Sequence, residues 1–226
     1  MDSGSDPIYQ RLRRLIIEGY YPPGTRLVED RLARDLGVSR TPIREALTRV
    51  AIEGLVQITP NRGAVVRTFS REDLIDTFDL RAVIEGHAAY RAALRITSSD
   101  LEQLEQTAVA LESFETRRFS ERNEEVHYLV EHNHQFHAAI IAASANRRLQ
   151  AILPMVVDVP MQYRSFFWYT RSERAISNFF HRGILHALRQ RDADRARALM
   201  QEHIYHGRDV LLESLRNDSK LEQDLP

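Results

Sequence analysis

The chain contains nine histidines, and four of them (His127, His132, His134 and His137) crowd one short stretch. Register separates His137 from the other three. Leu129, Asn133, Phe136, His137 and Ile140 recur at helical spacing on one stripe, whose apolar members mark it as the buried side. Asn133 and His137, four positions apart, therefore point together into a core. His203 shares a second such stripe with Ala196, Leu199, Met200, Gly207, Val210 and Leu211. His181 lies beside Ile184 and Leu188 on the helix between them. Three inward imidazoles on three helices, with one amide oxygen, can converge inside a bundle. Neutral imidazole is the commonest side-chain ligand for first-row divalent metals. Spacing alone leaves the other reading open, in which each is a hydrogen-bonded core histidine. His127, His132 and His134 read as a solvated polar face.

A second group carries different chemistry. Arg40, Thr41 and Arg44 fall in the first turn of the helix that Ser39 is placed to cap. A helix entering a DNA major groove by its N-terminal turn brings such side chains to base edges. There Arg bonds guanine bidentately, Thr bonds phosphate or packs on a thymine methyl, and the helix N-terminus favours phosphate. Arg34 and Arg31, on the preceding helix, are placed for backbone contact. Arg62, between Asn61 and Gly63, sits at a hairpin tip that can reach a minor groove. The competing reading is that Arg40 and Arg44 are ordinary solvated charges.

The elements that must position these residues are legible in the periodicity. Ile8, Leu12, Leu15 and Ile16 predict a helix over 6–19, which Tyr-Tyr-Pro-Pro-Gly (20–24) stops. A second helix is predicted over 28–36, then a turn at Gly37, then a third helix ending near Glu53-Gly54. Short strands are expected at 55–59 and 64–68 around the Pro60–Gly63 turn. Two short helices, a glycine turn and a hairpin make the plan of a winged helix-turn-helix. Everything beyond is expected to be helical: 70–94, with Ser70–Asp73 as a capping box, then 99–118 capped by Ser98, and then 124–144, 146–157, 172–190 and 193–216. The fold class is mostly α, a winged helix-turn-helix over 1–69 followed by an all-α bundle over 70–217 and a polar, frayed tail over 218–226. Tyr163, Phe166, Phe167, Trp168 and Tyr169 read as core or pocket wall.

Composition narrows the function classes. The 226 residues are enough for two modest domains, and the absence of cysteine excludes a disulfide framework or thiolate metal site. No stretch approaches the ~20 apolar residues of a membrane helix, so the expectation is a soluble cytoplasmic protein. Net charge is −1, but residues 1–69 carry eleven Arg against eight acids, and the remainder is acidic. A mildly basic head on an acidic body fits nucleic-acid contact at one end.

Leu-Ala-Arg-Asp-Leu-Gly-Val-Ser-Arg-Thr-Pro-Ile-Arg-Glu-Ala-Leu (32–47), Glu-Gly-Leu-Val (53–56) and Asn-Arg-Gly-Ala-Val-Val (61–66) together resemble the GntR family of bacterial regulators. The resemblance covers about residues 7–68. It implies Arg40, Thr41 and Arg44 as base or phosphate contacts and Gly63 as the wing tip. Asp30 stands where some relatives carry a DNA-contacting Arg, and Arg31 or Arg34 is the expected substitute.

Residues 72–215 resemble the FadR-type effector domain (FCD) attached to such heads. The resemblance is carried by Asp79-Leu80-Arg81-Ala82-Val83-Ile84-Glu85, Asn133-x-x-Phe136-His137, His181-x-x-Ile184-Leu185-x-Ala187-Leu188 and Ala198-x-x-x-x-His203-Ile204. It implies a divalent metal held by Asn133, His137, His181 and His203, with Zn or Ni favoured by ligand type and Mn also accommodated. Asn133 replaces the more frequent Asp, and Phe180 stands where an acid often precedes the third ligand. The resemblance also implies a small organic acid as effector, with Arg81 as a second anchor for the anion.

A metabolite-responsive regulator, acting as a repressor, is the reading that accounts for both halves. It implies a homodimer on a pseudo-palindromic operator in double-stranded DNA. A second reading keeps DNA binding but leaves the bundle metal-free, for dimerisation or effector binding alone. A metalloenzyme is the third, and it lacks a motif-placed carboxylate as general base.

Overall fold

The computed structural model describes residues 5–17, 20–59, 63–68, 70–120, 122–156 and 169–223. The chain divides into two compact units, with the break between Ser70 and Arg71.

The first unit runs α1 (Ser5–Ile17), β1 (Arg26–Leu27), α2 (Glu29–Leu36), α3 (Arg40–Ile52), β2 (Val56–Thr59) and β3 (Gly63–Val66). Its core is apolar and continuous: Leu12 and Ile16 from α1, Leu32 and Leu36 from α2, Ile43, Leu47 and Val50 from α3, with Leu27, Leu55 and Ala64 from the strand segments. Gly37 ends α2 in the left-handed region, at φ 70°, and its N–H returns to the α2 carbonyls. Ser39 occupies the N-cap of α3, as expected, but its side chain makes no capping bond.

The sheet is antiparallel in the order β1-β3-β2. Sequence periodicity gives no sign of β1, because two residues are too few to alternate. Arg26 pairs with Val65 and Leu27 with Ala64, so β1 ties the hairpin to the helical part of the unit. Gly63 pairs with Thr59 at the start of β3. Its φ is 83°, and a Cβ there would meet the Leu27 carbonyl oxygen at 2.7 Å. Glycine is required at this position by backbone conformation and by close approach to β1.

The second unit contains α4 (Arg71–Ala93), α5 (Ser98–Glu112), a 3-10 turn (Ser113–Thr116), α6 (Arg122–Ala143), α7 (Arg147–Val156), α8 (Arg171–Arg189) and α9 (Ala193–Gln223). α9 continues to Gln223, so the polar tail expected to fray from 218 is helical over most of its length. α5 stops at Glu112, earlier than the predicted 118, and tightens into the 3-10 turn. Its cap is Thr97, one residue before the expected Ser98. The Thr97 hydroxyl accepts from the Asp100 N–H while Asp100 accepts from the Thr97 N–H. Thr170 and Glu173 make the same reciprocal cap at the start of α8.

α4 lies mainly along α9. Ala82, Ala88, Ala89, Ala92 and Ala93 are buried on it, and small side chains permit close helix approach. Gly86 marks that closeness, since a Cβ there would lie 2.8 Å from Gln201 Cγ on α9. α8 is fastened to α5 by ion pairs, Arg182 to Glu105 and Glu112 and Arg189 to Glu105.

Candidate functional site

α6 buries Leu129, Asn133, Phe136, His137 and Ile140 on the stripe that periodicity assigns inward. α8 buries Ser177, His181, Ile184, Leu185 and Leu188, and α9 buries Ala196, Met200, His203, Val210 and Leu211. These three faces meet. His137, His181 and His203 each offer a ring nitrogen, and the three nitrogens lie within 4.8 Å of one another. Nε2 of His137 is 3.1 Å from Nε2 of His203, and the His181 and His203 ring centres are 4.4 Å apart. Phe136 packs beside His181 with ring centres 4.5 Å apart, closing one side with an apolar wall.

The polar atoms of this cluster are short of partners. Asn133 Oδ1, both ring nitrogens of His181 and His203 Nδ1 are buried without a hydrogen bond. Burying such groups unpaired costs free energy that folding ordinarily avoids. Burial, followed by the neighbouring His137, holds the His181 pKa well below its ordinary value. Burial does the same for His203, with His181 and His137 adding to it. Both rings are therefore neutral at neutral pH, with lone pairs free to bind a cation.

Glu85 on α4 completes the arrangement, and sequence reasoning does not single it out. It is 1% exposed, and its Oε2 lies 2.5 Å from His137 Nδ1. Arg81 donates its Nε to Glu85 Oε1 at 2.8 Å. Burial pushes the Glu85 carboxyl up, but the Arg81 guanidinium and His137 outweigh it and bring the pKa to about 2. Glu85 Oε2 sits where it can accept the Nδ1–H of His137, an outer contact that orients the ring with Nε2 facing His203. Arg81, expected as an anchor for the effector, is buried with its Nε committed to Glu85. The signal for this pair was a charged i, i+4 couple on an otherwise apolar stripe with Phe78, Ala82 and Ala89.

The donor set fits a divalent ion. Bonds of ~2.0–2.1 Å in a tetrahedral site place neighbouring ligand atoms about 3.3 Å apart, close to the observed His137–His203 spacing. The Asn133 carbonyl oxygen shares the buried face of α6 and has no partner of its own. A cavity of about 10 Å³, the space of a single water, lies against His181 between Leu129, Tyr169, Arg174 and Ser177. Of the expected aromatic cluster, Tyr169 is buried and lines this cavity, while Tyr163, Phe166, Phe167 and Trp168 lie outside the described residues.

In the first unit, Arg40, Thr41 and Arg44 are exposed within the first five residues of α3. Arg40 pairs with Asp30, and Arg44 makes two bonds to Glu29. Arg34 is exposed and bonds the Asp30 carbonyl at 3.3 Å, and Arg31 pairs loosely with Asp35. Gly63, expected at the wing tip, opens β3 opposite Thr59 at the loop end of the hairpin, and Arg62 lies outside the described residues.

A helix-turn-helix with a β-hairpin wing, joined in one chain to a helical unit with a buried polar centre, is the plan of a DNA-binding head followed by a second helical domain. Comparison with known proteins agrees. The chain matches the bacterial regulatory proteins of the gntR family over residues 5–66 and the FCD domain over residues 76–206. It is 30% identical over 202 residues to the Nta operon transcriptional regulator of Aminobacter aminovorans, covering 89% of this chain and 91% of that one. It is 33% identical over 201 residues to the HTH-type transcriptional repressor RspR of Escherichia coli (strain K12), covering 87% and 84%. The solved structure of E. coli McbR/YncC superposes with a TM-score of 0.73 at 23% identity, over 95% of this chain and all of that one, and shares the fold. The chain belongs to the GntR family of DNA-binding transcriptional regulators, in the group that carries an FCD domain, and is not an enzyme. No described helix is long and apolar enough to cross a membrane.

Proposed function

We propose that this regulator is metabolite-responsive, that it holds one divalent ion through Asn133, His137, His181 and His203, and that a small organic acid is its effector. The observation that carries the reading is the convergence of three buried imidazoles from α6, α8 and α9, with both ring nitrogens of His181 and Nδ1 of His203 unpaired in the core. The ion, when bound, supplies a Lewis-acidic centre able to take a carboxylate. Zn or Ni fits the nitrogen-rich set better than Mg or Ca. Arg81 serves this site through Glu85, by keeping the carboxylate ionised and aligned on His137. The DNA contacts are assigned to Arg34, Arg40, Thr41, Arg44 and Arg62, with Gly63 shaping the wing. Two heads of a homodimer then read inverted half-sites of a pseudo-palindromic operator. Repression, the action in the name of RspR, is the mode proposed for this cytoplasmic regulator.

The test has two arms. Duplexes captured from genomic fragments by the purified full-length protein should share an inverted repeat. Titration of that operator in the presence of small mono- and dicarboxylates should then find acids that shift the affinity. Operator binding that is indifferent to every acid, in metal-loaded protein, would return the bundle to a dimerisation role alone.

A further inference from the structure

We propose that Glu29 is a specificity-determining positioning residue, which grips one edge of the Arg44 guanidinium and presents the opposite edge to a DNA base. This rests on the assignment of Arg44 as a base reader. Glu29 opens α2 and Arg44 is the fifth residue of α3, so the pair spans the two helices of the helix-turn-helix. Nε of Arg44 donates to Glu29 Oε1 at 3.1 Å, and Nη2 donates to Oε2 at 2.8 Å. This is the two-pronged geometry that planar guanidinium and carboxylate groups favour. The carboxylate side chain is 29% exposed and the arginine 68%, so the sheltered member anchors the outward one. Hydrogen bonding from Arg44 comes first among the influences that hold the Glu29 carboxyl below its ordinary range.

The chemistry of the remaining edge makes the pair useful. A guanidinium has five N–H groups in a fixed plane. The bonds to Glu29 take the Nε–H and one hydrogen of Nη2. The other Nη2 hydrogen and those of Nη1 form a second fork, with the shape that fits O6 and N7 of guanine. A free arginine at an exposed helix start samples many rotamers and can satisfy any nearby phosphate. One held at its inner edge is limited in what it can reach. The pair is too exposed to matter much for folding, so its removal should register on DNA and leave the fold intact. Asp30 also faces Arg40, but both members are more than half exposed, and neither is anchored as Glu29 is.

The experiment uses full-length protein, its selected operator, every single-base-pair variant of one half-site, and a scrambled duplex of equal length. Wild type, Glu29→Gln, Glu29→Ala and Arg44→Ala are compared by equilibrium binding, with melting temperature as a control on folding. Both Glu29 variants should lose about 10-fold of the discrimination at one base pair, the same pair at which Arg44→Ala loses it. Binding of the scrambled duplex should hold or tighten, because a negative charge has left the DNA-facing surface. Full discrimination in the Glu29 variants beside its loss in Arg44→Ala overturns the positioning role. A uniform loss over all duplexes makes Glu29 structural and overturns it equally. Full discrimination in Arg44→Ala removes Arg44 as a reader, and the proposal with it.

Discussion

His137 and His203 are 66 positions apart in the chain, yet their Nε2 atoms lie 3.1 Å apart in the core of the helical unit. His137 Nδ1 is directed at Glu85, so the facing Nε2 atoms of His137 and His203 can share one proton or one cation. If His203 donates from Nε2, its Nδ1 is a bare acceptor, and that atom has no partner.

Protein purified without a polyhistidine tag should therefore take up close to one divalent ion per chain after chelation. At a free metal concentration about 100 times Kd, the ion should add ~2.7 kcal/mol to stability, visible as a rise in melting temperature. His181→Ala should abolish stoichiometric uptake. Elemental analysis and calorimetric titration together decide this, and absence of uptake by wild type would make His137 and His181 core hydrogen-bonders.

Glu85→Gln should weaken that uptake by about 10–100-fold, the usual effect of losing an outer partner of a ligating imidazole. The variant keeps shape and one acceptor, so metal affinity should fall further than stability. Equal affinity in the variant would show that the carboxylate does not orient His137.

His203→Ala should remove the response of operator affinity to organic acids while leaving acid-free DNA binding near wild type, since the head contains no part of this site. Allosteric coupling is commonly about 1–3 kcal/mol, or ~5–150-fold in affinity, and the acid must favour one state of the protein to produce it. An equal response in wild type and His203→Ala would place sensing elsewhere. Loss of acid-free DNA binding would instead make the histidine centre structural.

Gly63→Ala should destabilise the first unit by about 2 kcal/mol or more. The left-handed backbone alone costs an L-residue ~1–2 kcal/mol, and the new methyl meets a backbone oxygen that cannot easily move. Limited proteolysis between residues 20 and 70 should accelerate. Unchanged protection would mean that β1 yields without cost.

Glu105 should make stability depend on acid pH. Hydrogen bonds from Arg182 and Arg189 hold its carboxyl below the ordinary value. A carboxylate depressed in the folded state stabilises above its unfolded pKa, and that contribution fades as pH falls through the folded one. The difference in melting temperature between wild type and Glu105→Gln should be full at neutral pH and vanish in strong acid. Its size should stay below about 1 kcal/mol, because the pairs are a third or more exposed.

The sequence reading located most helices to within a few residues, because each buries one apolar stripe and the stripes recur at 3.6. His137, His181 and His203 were legible for the same reason, being polar residues on apolar faces. Glu85 was not, although it lies on such a face, because α4 is lined by alanine and glycine and its buried side has little hydrophobic contrast. The shift of the α5 cap from Ser98 to Thr97 followed from two adjacent hydroxyls, between which only the reach of Asp100 decides. The bonds from Glu29 to Arg44 cross two helices and have no local signature. Two acids at the start of α2 look like ordinary complements to the helix dipole.

The β1 strand has a consequence for the order in which the head assembles. β2 and β3 are near neighbours in the chain and can close as a hairpin within microseconds. Arg26 and Leu27 must instead wait for the whole stretch up to Val65 and Ala64 to double back on itself. That closure costs entropy before any strand bond repays it. The wing should therefore dock late, after α1, α2 and α3 have gathered around Leu32 and Ile43. Synthesis completes the sequences of α1, α2 and α3 before it adds Ala64 and Val65, the residues that β1 must pair with.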